Sequence, residues 1–161
     1  MLQPNKILVI RFSSLGDLIL TSPIFRELRR IFPGANLYLL TSVGFGDVLD
    51  NNPHLDHIIK HPRKENFEQL NQLIEELQAE ELDLIYDAHR SMRSRWIVSR
   101  LTAFGMKRKP AVWKINKRTL NRKLLIHLGW NRLQQGLSQR EQWLLPLKQH
   151  APHGLDASTE L

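Results

Sequence analysis

The stretch KILVIRFSSLGDLILTSP, residues 6–23, carries the reading of the fold. Ile7 to Ile10 form a short apolar run, the pattern of a strand buried on both faces. The run stops at Arg11 and passes into Ser13-Ser14-Leu15-Gly16-Asp17, small polar residues with one carboxylate. Ser22 then offers an N-cap with Pro23 at the first helical position, and Ile24, Leu28 and Ile31 follow at helical spacing. Strand, polar turn and helix in this order open a βαβ unit.

The same alternation continues outward from that opening. ANLYLLTS (35–42), DHIIKH (56–61), LDLIYDAH (82–89) and PAVWKI (110–115) read as four more strands. Between them, GFGDVLDNNP (44–53) holds a short helix, and NFEQLNQLIEELQAEE (66–81) is an amphipathic one with Phe67, Leu70, Leu73, Ile74 and Leu77 on its apolar face. A further helix runs from about Met92 to Phe104, stopped by Gly105, with Trp96, Ile97 and Leu101 as its apolar side. RTLNRKLLIHLG (118–129) is read as helical and REQWLLPL (140–147) as a last apolar segment, while KQHAPHGLDASTEL (148–161) has no periodicity and the composition of a linker or tail. Strands alternating with helices predict an α/β fold, a Rossmann-like parallel sheet with flanking helices. Ligands bind such sheets at the carboxyl ends of the strands, which puts the loops at 11–17, 61–66 and 88–92 on one functional edge.

With 161 residues the chain has enough for one core, and the absence of cysteine rules out disulfides and cysteine-ligated metal. No apolar run reaches the length of a membrane span, and a cytoplasmic location is expected. The net charge of +7 is unevenly placed. Residues 88–140 hold 14 of the 23 cations and no acid, leaving nine cations against all 16 acidic residues elsewhere. Such a block implies an anionic partner: a phosphorylated small molecule, anionic lipid or nucleic acid. No helix-turn-helix, zinc-finger or RNP signature supports nucleic acid, and the acidic remainder opposes it.

The 11–17 loop lacks the Gly-Lys-Ser/Thr of a Walker motif, and Gly16 stands alone where a dinucleotide fingerprint needs three spaced glycines. GFGDVL (44–49) supplies two, with Leu49 in the third place, so nicotinamide and flavin are disfavoured and no cofactor is expected. Ser13, Ser14 and the backbone around Gly16 can bond an anionic or polyhydroxyl ligand. Asp17 has two readings, a helix-capping carboxylate or a general base for an acceptor hydroxyl. Lys60, Arg63 and Lys64 cluster at the next loop of the same edge, and Arg90 follows the fourth strand. His54, His57 and His61 lack a further ligand at matching spacing, and no metal is expected.

ILVIRFSSLGDLILTSP resembles the opening of the ADP-heptose:lipopolysaccharide heptosyltransferases, glycosyltransferase family 9, which begin with a strand, a Ser-Ser/Met-Gly-Asp loop and a downstream proline. DLIYDAHRSMRSR looks like the family's fourth strand and basic helix, KHPRKENF like its basic acceptor loop, and INKRTLNRK, with Arg118, like a further basic segment. The resemblance implies the N-terminal half of a GT-B fold, an acceptor-binding domain over 1–147, with 148–161 a tail or the start of an interdomain linker. It implies Asp17 as the base of an inverting transfer of heptose from ADP-heptose to the lipopolysaccharide inner core. Ser13, Ser14, Gly16, Lys60, Arg63, Lys64, Arg90 and Arg118 would bind the acceptor. The partners implied are ADP-heptose, held mainly by a C-terminal domain, a lipid A–Kdo acceptor, and the anionic cytosolic face of the inner membrane. Family members are about twice as long, so this chain alone is expected to be inactive. The alternatives are a nucleic-acid-binding module on the 88–140 block and a non-catalytic glycosyltransferase relic.

Overall fold

A computed structural model describes residues 3–64, 66–103, 109–115, 138–151 and 154–158. Five strands, β1 (Lys6–Ile10), β2 (Asn36–Ser42), β3 (His57–His61), β4 (Leu84–Asp87) and β5 (Ala111–Lys114), form one all-parallel sheet in the order β3-β2-β1-β4-β5. The expected Rossmann-like sheet is therefore present. The chain moves outward from β1 to β2 and β3, then returns to place β4 on the other side of β1. That reversal makes the gap between the β1 and β4 loops the topological switch point.

Alternate residues of β1 explain why the sheet is covered on both faces. Ile7 and Val9 join Leu37, Leu39, Leu84 and Tyr86 beneath α2 (Ser22–Ile31), while Leu8 and Ile10 join Leu40 and Ile85 beneath α3 (Phe67–Ala79) and α4 (Met92–Leu101). Each of these fully buried aliphatic side chains contributes about 1.5–3 kcal/mol. On the first face the core is closed by a helix after the basic block, α5 (Gln139–Leu144), and by the 3-10 segment Leu145–His150. Trp143, Leu144 and Leu147 bring this part of the chain back onto the sheet, and the buried Tyr86 hydroxyl donates to the Trp143 carbonyl. The last described residues follow it: Leu155 and Ala157 pack against the same core, and Arg26 of α2 pairs with Asp156 at 3.1 Å.

Three local departures from the sequence reading have physical causes. A one-turn helix, α1 (Leu15–Ile19), precedes α2, so the polar loop is shorter than the sequence suggested. Thr21, one residue before Ser22, occupies the N-cap of α2. Phe67 and Trp96, expected on apolar faces, are 67% and 42% exposed. Phe67 is the first residue of α3 and Trp96 lies mid-α4 outside its buried stripe, and the inward stripes of the two helices are already filled by Leu73, Ile74, Leu77, Ile97, Val98 and Leu101. The helix read over 118–129 and the Gly105 stop lie outside the described residues.

At the amino ends of the strands, carboxylates tie the sheet to its connections. Asp56 accepts from the Leu37 N–H at 2.7 Å and from Arg29 at 2.6 Å. Burial acts against its charged form, but the Leu37 N–H and the Arg29 guanidinium outweigh it and hold Asp56 below the usual carboxylate range. A carboxyl depressed in the folded state adds stability above its unfolded pKa, and that stability is lost as pH falls through the folded value. The urea midpoint should therefore drop on acidification from about pH 5 to about pH 2. Asp56→Asn should lower the midpoint at neutral pH and flatten that drop; an unchanged slope would remove Asp56 from the linkage.

Candidate active site

The alternation of β1 continues one step past its last ladder residue and builds the site. The Arg11 N–H donates to the Leu40 carbonyl at 2.9 Å, so Arg11 keeps the Val9 face and Phe12 keeps the Ile10 face. Arg11 is 4% exposed. Its guanidinium bonds the Asp17 Oδ2 at 2.5 Å, donates to the Ala88 carbonyl, and lies over the Trp143 ring, 4.7 Å from the centroid. Burial pushes Arg11 down from its ordinary pKa, opposed by Asp17 and Asp87. Arginine stays protonated under such conditions, so this is a buried cation with carboxylates arranged to compensate it.

Asp17 belongs to α1, whose N-cap is Ser14, and its Oδ2 also accepts from the Ser14 N–H at 3.4 Å. Thr21 Oγ1 donates to the Asp17 carbonyl at 2.7 Å, tying α1 to the start of α2. The capping reading of Asp17 is thus seen in Oδ2. Oδ2 is engaged by Arg11 and the helix start, while Oδ1 has no partner among the described residues. The side chain is 34% exposed. An oriented carboxylate with one oxygen open to solvent is the geometry that accepts a proton from a bound hydroxyl. Gly16 sits exposed beside it, and a Cβ there would meet nothing within 4 Å. The packing of the chain does not require a glycine at this position, which leaves an open floor next to the carboxylate.

Across the switch point, Asp87 shapes the second loop. Its Oδ1 accepts from the His89 and Arg90 N–H groups at 3.0 and 2.7 Å, and its Oδ2 accepts from Ser94 Oγ at 3.1 Å. Arg90 takes a left-handed backbone, φ 50°, inside this clasp. Its guanidinium donates to the Ile115 carbonyl at 3.0 Å, linking the loop to the end of β5. On the other face of β1, Phe12 meets the His89 ring edge-on at 5.7 Å and carries Arg93 over its face at 4.0 Å. Arg93 also donates to the Pro62 carbonyl at 2.9 Å, joining α4 to the loop after β3.

The structure thus gathers Ser13, Ser14, Gly16 and Asp17 with the Arg90 loop, and separates them from Lys60. Lys60 lies on the edge strand β3, two strands from β1, roughly 10 Å by sheet spacing. Its ammonium is held by Asp47 at 2.6 Å and by Asp50 at 2.8 Å, which raises its pKa, and its stem fills the space a Cβ on Gly46 would need. Arg63 and Lys64 are exposed in the turn after β3, and Arg118 lies outside the described residues. Sequence reading missed Arg11 and Asp87 as organisers of the site. The available signal was a charged residue ending each of two otherwise apolar, buried strands.

The sequence matches no family model and no curated protein. The structure is similar to a glycosyl transferase family 9 protein from Veillonella parvula, with TM-score 0.70 and 19% identity over 98% of this chain and 44% of that one. It is also similar to Escherichia coli heptosyltransferase WaaC, solved with ADP-2-deoxy-2-fluoro heptose, with TM-score 0.61 and 23% identity over 88% and 48% of the two chains. The E. coli ADP-heptose lps heptosyltransferase II gives TM-score 0.52 and 22% identity over 59% and 28%. This chain spans about half of these proteins or less. At such identities the likeness establishes the fold, one Rossmann-like half of a GT-B architecture.

Because Gly16 is free of packing constraints, Gly16→Ala should leave stability unchanged or raise it by about 0.5–1 kcal/mol, through the better helix propensity of alanine. The same methyl group should weaken any ligand lying against Asp17. Urea denaturation together with ligand titration reads both effects, and a clear loss of stability would contradict the open geometry.

Proposed function

We propose that this chain is the acceptor-binding half of an inverting glycosyltransferase that moves heptose from ADP-heptose to the lipopolysaccharide inner core. The observation that carries the reading is the Asp17 carboxylate, fixed by Arg11 through one oxygen and open at the other, at the switch point of a sheet with a GT-B fold. In this reading residues 1–147 form the acceptor domain and 148–161 lead toward a donor-binding domain. Asp17 takes the proton of the acceptor hydroxyl as its oxygen attacks the anomeric carbon. The bond to the diphosphate breaks on the opposite face, and ADP leaves with the electron pair. The transition state is oxocarbenium-like, and the departing charge is met by cations or helix dipoles, most of them in the donor domain.

In this reading Ser13, Ser14 and the Gly16 backbone orient the sugar, while Arg90 and, by the sequence resemblance, Arg118 meet the acceptor anions. Arg63 and Lys64 are the cations best placed by exposure to meet Kdo carboxylates or phosphates, whereas Lys60 takes part only by giving up Asp47 and Asp50. The acceptor is lipid-linked, so the reading puts the protein at the cytosolic face of the inner membrane. Among the described residues no helix is long and apolar enough to cross a membrane, so this association would be peripheral.

The test joins this chain to a donor-binding half and assays transfer from ADP-heptose to heptose-deficient Kdo–lipid A. Asp17→Asn should lower kcat by about 10²–10⁴-fold, with acceptor affinity changed far less. A polypeptide that binds the acceptor but shows no turnover to lose would be a relic of such an enzyme. Equal, steeply salt-dependent binding of acceptor and single-stranded DNA would replace the reading with a generic cationic surface.

A further inference from the structure

Three large apolar side chains stand exposed together at the rim of the functional edge. Phe67 opens α3, Met92 opens α4 and is 89% exposed, and Trp96 follows Met92 by one helical turn. The Phe67 and Trp96 rings face each other with centroids 6.4 Å apart, so the two helix starts present one continuous apolar surface. Asn66 and Ser91 cap these helices through their side chains, and the Arg93 bond to the Pro62 carbonyl locks the α4 start to the preceding loop. The patch is built on well-fixed elements.

Four cations flank it, while Glu68 and Glu75 stand on the remaining side of Phe67. Arg63 and Lys64 project from the loop that leads into α3, Arg95 is exposed between Met92 and Trp96, and the Arg100 guanidinium lies 6.0 Å from the centroid of the Trp96 ring. We propose that Phe67, Met92 and Trp96, flanked by these cations, dock this protein on an anionic lipid bilayer. Amphipathic surfaces of this composition seat their apolar side chains at the headgroup–acyl boundary while the cations meet anionic lipid heads. Tryptophan and phenylalanine supply the buried area, and long basic side chains lie along it with their charges in the headgroup layer.

Charge complementarity favours a bilayer over a polyanionic chain such as nucleic acid. Phe67 also lines a depression shared with Asn66, Glu68, Asn71, Gln72 and Glu75, so a polyanion following the surface from the cations across Phe67 would meet carboxylates. A flat bilayer that meets Phe67, Met92, Trp96 and the cations need not enter that depression. The surface does not depend on the proposed function, but its use does: with a lipid-linked acceptor, the patch would bring the Asp17 edge to the plane in which that acceptor sits.

The test uses vesicles of phosphatidylglycerol and phosphatidylethanolamine, with phosphatidylcholine vesicles as the neutral control and no glycolipid acceptor. Success or failure is therefore separate from transfer activity. The chain should co-sediment with the anionic vesicles, and Phe67→Ser combined with Met92→Ser should weaken binding about tenfold or more, given the area each side chain would bury. Both positions are exposed, and an unchanged urea midpoint would verify folding. Neutralising Arg63 and Lys64 should reduce the salt sensitivity of binding. Lipids brominated near the headgroup should quench tryptophan emission in the wild type, and Trp96→Phe should clearly reduce that quenching while keeping most of the affinity. Absence of vesicle binding, binding insensitive to the double serine variant, or quenching undiminished without Trp96 would overturn the proposal. So would a loss of single-stranded DNA binding, rather than vesicle binding, in the serine variant.

Discussion

A single buried cation organises the functional end of this molecule. Arg11 leaves the end of the central strand, and water is largely excluded around it, so its charge must be met by the protein. Asp17 and the Ala88 carbonyl meet it, and the Trp143 ring covers it. Those partners come from the loop after β1, the loop after β4 and a helix more than a hundred residues away. The cost of leaving a guanidinium unpaired therefore acts as a common constraint on three separate stretches of chain. The candidate base owes its orientation to the same constraint.

Asp87 performs the matching task on the other lip of the cleft. By accepting from two successive backbone N–H groups it stabilises a tight turn with a left-handed residue, and it reaches α4 through Ser94. The two lips are thus built by the same means, a charged residue ending a buried strand and satisfied by the loop that follows. This places polar groups along the carboxyl edge of the sheet while its hydrophobic bulk remains beneath them. Each cluster draws its strength from several partners acting on one buried charge, since removing any of them would leave that charge uncompensated.

The sheet and its order of elements were legible because short apolar runs alternated with helical periods at the spacing of βαβ units. The functional edge followed from that topology, and Asp17 and Gly16 from the loop composition. Arg11 was visible only as the residue that stopped a strand; its role depends on Ala88 and Trp143, which no local pattern links to it. Phe67 and Trp96 misled for a related reason. Helical periodicity marks a face, but it does not say how far along or around a helix the neighbouring layer extends: Phe67 lies at the helix start beyond the core, and Trp96 lies beside the buried stripe of Ser94, Ile97, Val98 and Leu101. Lys60 was counted with its neighbours in sequence, whereas its nearest carboxylates come from the segment before β3.

The Lys60 cluster has a consequence for how the molecule behaves among its own copies. β3 is a border strand, and a parallel sheet with an open border offers backbone donors and acceptors to any extended chain that arrives. Here a lysine, two aspartates and a short 3-10 segment crowd the end of that border, and Pro62 follows the strand directly. A foreign strand would have to dislodge an ion cluster and then pair past a residue that lacks an N–H. The ion pairs that hold the Lys60 ammonium would therefore hinder edge-to-edge association at this end of the sheet.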